Sequence, residues 1–148
     1  MKLTTRSEYA LLAMVYLARQ PIGSVHSAET IATAQHIPAK FLEQLLAAMR
    51  MAHFVRSTKG KSGGYSLAKD PHQINLAEII RLFDGALAPV ESVSSYFYEP
   101  TPIEREAGLV NVLREIRDHI STKLENTTIA QIADTPAGTL ADEPEDTP

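Results

Sequence analysis

Apolar residues in the first half of the chain fall into short groups at helical spacing, separated by polar or glycine- and proline-containing breaks. Thr5-Arg6-Ser7-Glu8 has the form of a capping box, with Thr5 as cap. Tyr9, Leu12, Ala13, Tyr16 and Leu17 then keep the i, i+3, i+4, i+7, i+8 rhythm of a helix burying one face, which Pro21 and Gly23 stop beyond Arg19. Ser27, with Glu29 in the first turn, starts a second short helix through Ile31, Ala32 and Ala34. The break Gln35-His36-Ile37-Pro38 is tight, and Pro38 suits the first turn of the next helix. The spacing predicts this third helix over about residues 39–52, with Leu42, Leu45, Leu46 and Met49 on one side and Phe41 and Ala48 flanking them. Lys40, Glu43, Gln44, Ala47 and Arg50 fall on the other.

The period then changes. Residues 54–57 and 65–67 read as short strands, joined by a glycine-rich turn carrying Lys59 and Lys61. Asn75-Leu76-Ala77-Glu78 caps a fourth helix over residues 76–84, ended by Gly85. Prolines and the cluster Tyr96-Phe97-Tyr98 mark a loop up to Glu104. A long helix over about residues 104–125 presents Leu109, Leu113, Ile116, Ile120 and Leu124 as a narrow stripe, closer to a coiled-coil seam than to a broad core face. A short helix over residues 129–133 comes last, before an acidic, proline-containing tail expected to be disordered.

The expected fold is therefore mainly α with a small β-hairpin wing: a winged helix-turn-helix over residues 1–85, a linker and candidate effector loop over 86–103, a dimerisation helix with a short terminal helix over 104–134, and a tail over 135–148. The dimer is expected from the stripe, which a monomer would leave exposed to water.

Charge sharpens this picture. The net charge of −4 is unusual for a partner of nucleic acid, but residues 1–85 hold 10 Lys and Arg against 6 Asp and Glu, while residues 86–148 hold 4 against 12. A basic front and an acidic rear suit a protein whose front alone meets a polyanion; chance clustering on a solvated surface is the bland alternative. The order of elements favours the first. A helix fits the major groove of duplex DNA and a basic wing tip can cross phosphates or enter the minor groove. Gln44 matches adenine, Glu43 can accept from cytosine, and Lys40 and Arg50 can reach phosphate or guanine; Lys59 and Lys61 sit at the wing tip and Arg6 faces the backbone. A winged-helix module that binds a partner protein, its acidic rear meeting a basic surface, is the rival reading.

Other chemistry is excluded or weak. There is no cysteine, which removes disulfides, thiolate zinc sites and cysteine-ligated clusters. No acid–base pair or nucleophile motif points to an enzyme, and the glycine-rich turn lacks the Lys-[Ser/Thr] spacing of a P-loop. Glu115 and His119 share a helix face without a third ligand, so no metal and no cofactor is expected. The apolar run 10–18 is too short and wrongly flanked for a signal peptide, and a cytoplasmic location is expected.

Five motifs together resemble the Rrf2 family: Thr5-Arg6-x-x-Tyr9-Ala10, Phe41-Leu42-Glu43-Gln44-Leu45, Lys59-Gly60-x-x-Gly63-Gly64-Tyr65, Ala77-Glu78-Ile79-Ile80 and Thr128-Ile129-x-x-Ile132-Ala133. They run in order over residues 1–134. The resemblance implies winged-helix homodimers whose long C-terminal helices cross, many of them repressors, on pseudo-palindromic double-stranded DNA. It assigns Lys40, Phe41, Glu43, Gln44 and Lys59 to DNA contact, although the wing position is more typically arginine. Cluster-binding members carry three cysteines in the region where this chain has Ser92, Ser94 and Ser95, so the resemblance implies a member without an iron–sulfur cluster. Gly85-x-x-x-Pro89-Val90-Glu91 is similar to the cysteine-metabolism repressor branch, which implies a signal delivered by a partner enzyme; a small-molecule effector is the other expectation, with Tyr96-Phe97-Tyr98 either lining its pocket or packing beside the dimer helix.

Overall fold

The computed structural model describes residues 1–138. Six helices and one hairpin succeed one another: α1 (Thr5–Arg19), α2 (Ala28–Gln35), α3 (Ala39–Met51), β1 (Val55–Thr58), β2 (Gly64–Leu67), α4 (Leu76–Asp84), α5 (Ala107–Glu125) and α6 (Ile129–Asp134). Short 3-10 turns lie at Pro71–Gln73, Glu91–Val93 and Pro102–Arg105.

α1 is the central helix, packed against α2, α3, α4 and α6. Its N-cap is Thr4 and not Thr5: the first helical bond runs from Glu8 N to Thr4 O at 3.1 Å, and the Thr4 hydroxyl accepts from Ser7 N at 3.5 Å. The buried face is also rotated from the expected one. Ala10, Ala13, Met14 and Leu17 are buried while Leu12 turns to solvent, because a helix covered on several sides is apolar almost all round and its sequence does not single out one stripe.

α2 starts at the Ser27 hydroxyl, which accepts from Thr30 N at 3.1 Å, and ends on His36 in the left-handed region (φ 55°, ψ 45°). That residue turns the chain into α3, where Leu42, Leu45, Leu46 and Met49 are buried as the spacing predicts, and Pro38 serves as cap. β1 and β2 pair antiparallel with Val55 opposite Leu67 and Thr58 opposite Gly64. The capping box of α4 is present, with Glu78 N donating to Asn75 Oδ1 (2.9 Å) and Asn75 N donating to Glu78 Oε2 (3.1 Å); Gly85 ends the helix at φ 78°.

The rear of the chain departs most from expectation. α5 begins at Ala107, three residues later than the pattern suggests, because Pro102–Arg105 forms a separate turn. α6 returns to the winged-helix core: Leu76 N donates to Thr127 O (2.9 Å), Ile129 N to Ile74 O (2.8 Å), and Ile129 is fully buried beside Met14 and Ile79 in the main core. Arg19, at the end of α1, donates to the carbonyls of Ala133 (3.2 Å) and Thr135 (2.8 Å), satisfying groups that the end of α6 would leave open. Residues 1–85 and 129–134 thus share one core. The expected acidic tail lies, from Thr139 onward, outside the described residues.

Candidate DNA-binding surface

The buried leucines of α3 fix which of its residues face outward. Lys40, Glu43, Gln44, Ala47 and Arg50 are exposed, with Arg50 in the last turn where a cation suits the helix dipole. Phe41 is half-buried, held edge-on by Tyr9 of α1 at 5.6 Å between ring centres. Lys59 and Lys61 are exposed at the tip of the hairpin, in a turn closed by a bond from Gly63 N to Gly60 O (3.0 Å). Arg6 is exposed at the start of α1 with its guanidinium 5.3 Å from the centre of the Phe83 ring. Arg56, which the sequence pattern does not single out, is also exposed on β1. Among the described residues, ion pairs join Asp70 to His72, Arg81 to Glu125 and Arg117 to Asp118, so Lys40, Arg50, Arg56, Lys59 and Lys61 lack carboxylate partners there, while Arg6 makes no ion pair but lies near Asp84. Unneutralised cations on a helix and an adjacent wing form the kind of surface that displaces counterions from phosphate.

Two glycines hold the wing in place. At Gly64 (φ 155°) a Cβ would lie 2.3 Å from the carbonyl oxygen of His26, and at Gly63 it would lie 2.1 Å from that of Thr58. The close approach at Gly64 lets Tyr65 N donate to His26 O (2.7 Å) and His26 N to Tyr65 O (2.9 Å), pinning the hairpin to the segment between α1 and α2. Sequence pattern alone does not reveal this anchor, although the paired glycines before Tyr65 are its trace.

The stripe on α5 divides. Ile120 and Leu124 pack on Ala77, Ile80 and Leu87 of the same chain, and Leu113 on Ala88, Val93 and Val110. Leu109 and Ile116 are exposed, joined by Val112, which is 53% exposed and lies outside the expected stripe. The aromatic trio lies close to α4 and α5: Arg81, paired with Glu125 at 2.6 Å, sits 4.8 Å from the Tyr96 ring centre, and Tyr98 donates to Glu104 at 2.5 Å, which raises the Tyr98 pKa above the ordinary phenol value. All three aromatics are exposed. In the same segment Ser92 bonds Thr101 hydroxyl to hydroxyl (2.6 Å) and Ser94 accepts from Phe97 N (2.9 Å).

Comparison with known proteins agrees with this architecture. The family model Rrf2, described as iron-dependent transcriptional regulator, matches residues 3–135. Protein Rv1287 of Mycobacterium tuberculosis is 36% identical over 136 residues, covering 90% of this chain and 81% of its own. The HTH-type transcriptional regulator CymR of Bacillus subtilis is 32% identical over 133 residues, 90% of each chain. The solved structure of B. subtilis CymR, a global cysteine regulator, superposes with a TM-score of 0.73 at 31% identity, over 90% of this chain and 97% of that one. IscR of T. potens gives 0.69 at 28% identity, over 93% and 94%. Among the described residues no helix is long and apolar enough to cross a membrane.

Proposed function

Because the chain belongs to the Rrf2 family of winged-helix, DNA-binding transcriptional regulators, we propose that it is a cytoplasmic homodimeric repressor that reads a pseudo-palindromic operator without an iron–sulfur cluster. The single observation that carries this reading is the set of cations without ion pairs among the described residues, Lys40, Arg50, Lys59 and Lys61, that flank Gln44 on the outer side of α3 and at the wing tip. In it α3 enters the major groove. Gln44 pairs with adenine N6 and N7, Glu43 accepts from cytosine N4, and Phe41 lies against a thymine methyl. Lys40 and Arg50 take phosphate or guanine, Lys59 and Lys61 track the phosphates or the minor groove beside the wing, and Arg6 binds the backbone. Two-fold symmetry places one α3 in each half-site, and a bound dimer blocks the promoter. Leu109 and Ile116 of the stripe, with neighbouring Val112, supply the seam, since the other described residues leave them exposed.

The iron of the family description does not fit the donors of this chain. There is no cysteine, and the Ser92 and Ser94 hydroxyls are engaged with Thr101 and Phe97. Serine hydroxyls stay protonated at neutral pH and do not replace thiolates. A partner enzyme or a small molecule is then the source of the signal.

The test is binding to operator fragments selected from a genomic library, followed by salt titration. Gln44→Ala is expected to cost about 1–3 kcal/mol and to relax the preference at one base pair, whereas Lys59→Ala weakens all sequences alike and lowers the salt slope by about one. Unchanged DNA affinity in both variants would instead favour a winged-helix module that binds protein.

A further inference from the structure

Phe41 sits on the border between the buried and the exposed sides of α3 and belongs to none of the buried apolar clusters. Its aromatic neighbour among the described residues is Tyr9 of α1, which itself packs against the main core. The two rings meet edge to face, with centres 5.6 Å apart and planes at 81°, inside the favoured range for aromatic pairs. A ring anchored in the core thus holds one that is not.

The frame around the pair is fixed as well. The Gln35 side-chain amide donates to the Leu12 carbonyl at 2.9 Å, tying the end of α2 to α1 about one turn beyond Tyr9, and His36 then turns the chain toward Pro38 and α3. Aromatic side chains in a helix keep two χ1 wells and lean toward its N-terminus. The contact with Tyr9 belongs to one well, and it holds the Phe41 ring toward the end of α3 that carries Lys40, with Gln44 one turn further on. The Tyr9 hydroxyl reaches the surface without a hydrogen bond among the described residues, so the phenol is oriented by its ring alone.

We propose that Tyr9 is a positioning residue for base reading: its ring holds Phe41 in the rotamer that meets a thymine methyl, so that α1 sets the preference at one base pair. This rests on α3 lying in the major groove, where the thymine C5 methyl is the apolar group that a Phe ring meets. A Phe41 released from Tyr9 covers that methyl only part of the time, and the preference falls accordingly. The phosphate contacts of Lys40 and the wing lysines carry no sequence information and are unaffected.

The probe is a selected operator in which the thymines of one half-site are replaced one at a time by deoxyuridine, which removes the methyl group and nothing else. For the full-length parent, one such replacement should weaken binding about fourfold, the effect of losing one buried methyl. Phe41→Ala should erase that ratio, and Tyr9→Phe, which keeps the ring, should retain it. Tyr9→Leu should bring it below about twofold. A merely structural Tyr9 would lower the affinity for thymine and deoxyuridine fragments alike, so a ratio unchanged in Tyr9→Leu would overturn the proposal. A ratio lost in Tyr9→Phe, or a parent without any methyl-sensitive position, would do the same. Should Tyr9→Leu fail to fold, Tyr9→Met supplies apolar bulk without a ring and decides by the same ratio. Binding of the unmodified operator by the parent is measured first, so a chain that does not bind DNA is told apart there from one in which Tyr9 plays no part.

Discussion

The backbone amide of Thr4 donates to the carboxylate of Asp84 at 3.0 Å and the Thr4 hydroxyl donates to its second oxygen, so the end of α4 caps the start of α1 eighty positions away. Burial works against the charge on Asp84, but the Thr4 hydroxyl, the Thr4 amide and nearby Arg6 outweigh it and hold the carboxyl below the ordinary aspartate pKa. A carboxyl depressed in the folded state stabilises fully above its unfolded pKa and loses that contribution as pH falls through the folded value. Asp84→Asn should therefore cost about 1–2 kcal/mol in urea unfolding at pH 7, and the gap to the parent should shrink as pH falls below the unfolded aspartate pKa of about 3.9 and on through the lower folded value. A gap independent of pH would contradict the role of the charge.

The wing depends on a position where no side chain fits. Gly64→Ala would drive a Cβ into the His26 carbonyl, against backbone that cannot yield as a flexible side chain can. The expected loss is upwards of about 2 kcal/mol, with rapid amide exchange in the hairpin while the helical signal by circular dichroism largely persists. Parent-like stability and exchange would show that the His26–Tyr65 pairing is dispensable.

His36 points to the opposite kind of change. It occupies the left-handed region at the end of α2 (φ 55°), which glycine adopts without strain. His36→Gly should raise stability by about 0.5–1 kcal/mol, and His36→Val should lower it by at least as much, both read from thermal unfolding. Operator affinity should be unchanged in the glycine variant.

The divided stripe on α5 separates assembly from folding. Val112→Glu with Ile116→Glu alters exposed positions and should give a folded monomer in sedimentation, with helical content retained. Leu124→Glu strikes the cluster formed with Ala77 and Ile80, and should unfold or loosen the rear of the chain. A double variant that sediments like the parent would refute the seam.

Periodicity is a sound guide where one face of an element meets a single neighbour. In α3 four apolar residues at helical spacing face the core, and the polar side is outward without exception. It fails where an element is covered from several sides or shared between neighbours. α1 carries apolar residues nearly all round, so spacing does not tell Leu12 from Ala10. The α5 stripe looks like one seam in sequence, yet Ile120 and Leu124 pack on Ala77 and Ile80 of α4, Leu113 packs on Ala88 and Val93, and Leu109 and Ile116 are exposed. The docking of α6 is invisible for another reason: six residues carry too little pattern to say which distant segment they cover, and it is the bonds to Ile74 and Leu76 that decide it. On the candidate surface, the lysines and the α3 side chains are legible because exposure obeys the helix period, whereas the anchor at Gly64 depends on the path of His26, which local sequence does not encode.

The closure of the main core by Ile129 has a consequence for synthesis. A nascent chain that has just completed α4 still lacks the helix that covers α1, and at ordinary translation rates the interval before Ile129 is made is on the order of several seconds. Throughout that time Met14 and Ile79 keep an unsealed apolar face, so the ribosome-bound intermediate is the stage at which a chaperone is most needed, and a transcript truncated after α5 should yield aggregate instead of a small DNA-binding fragment.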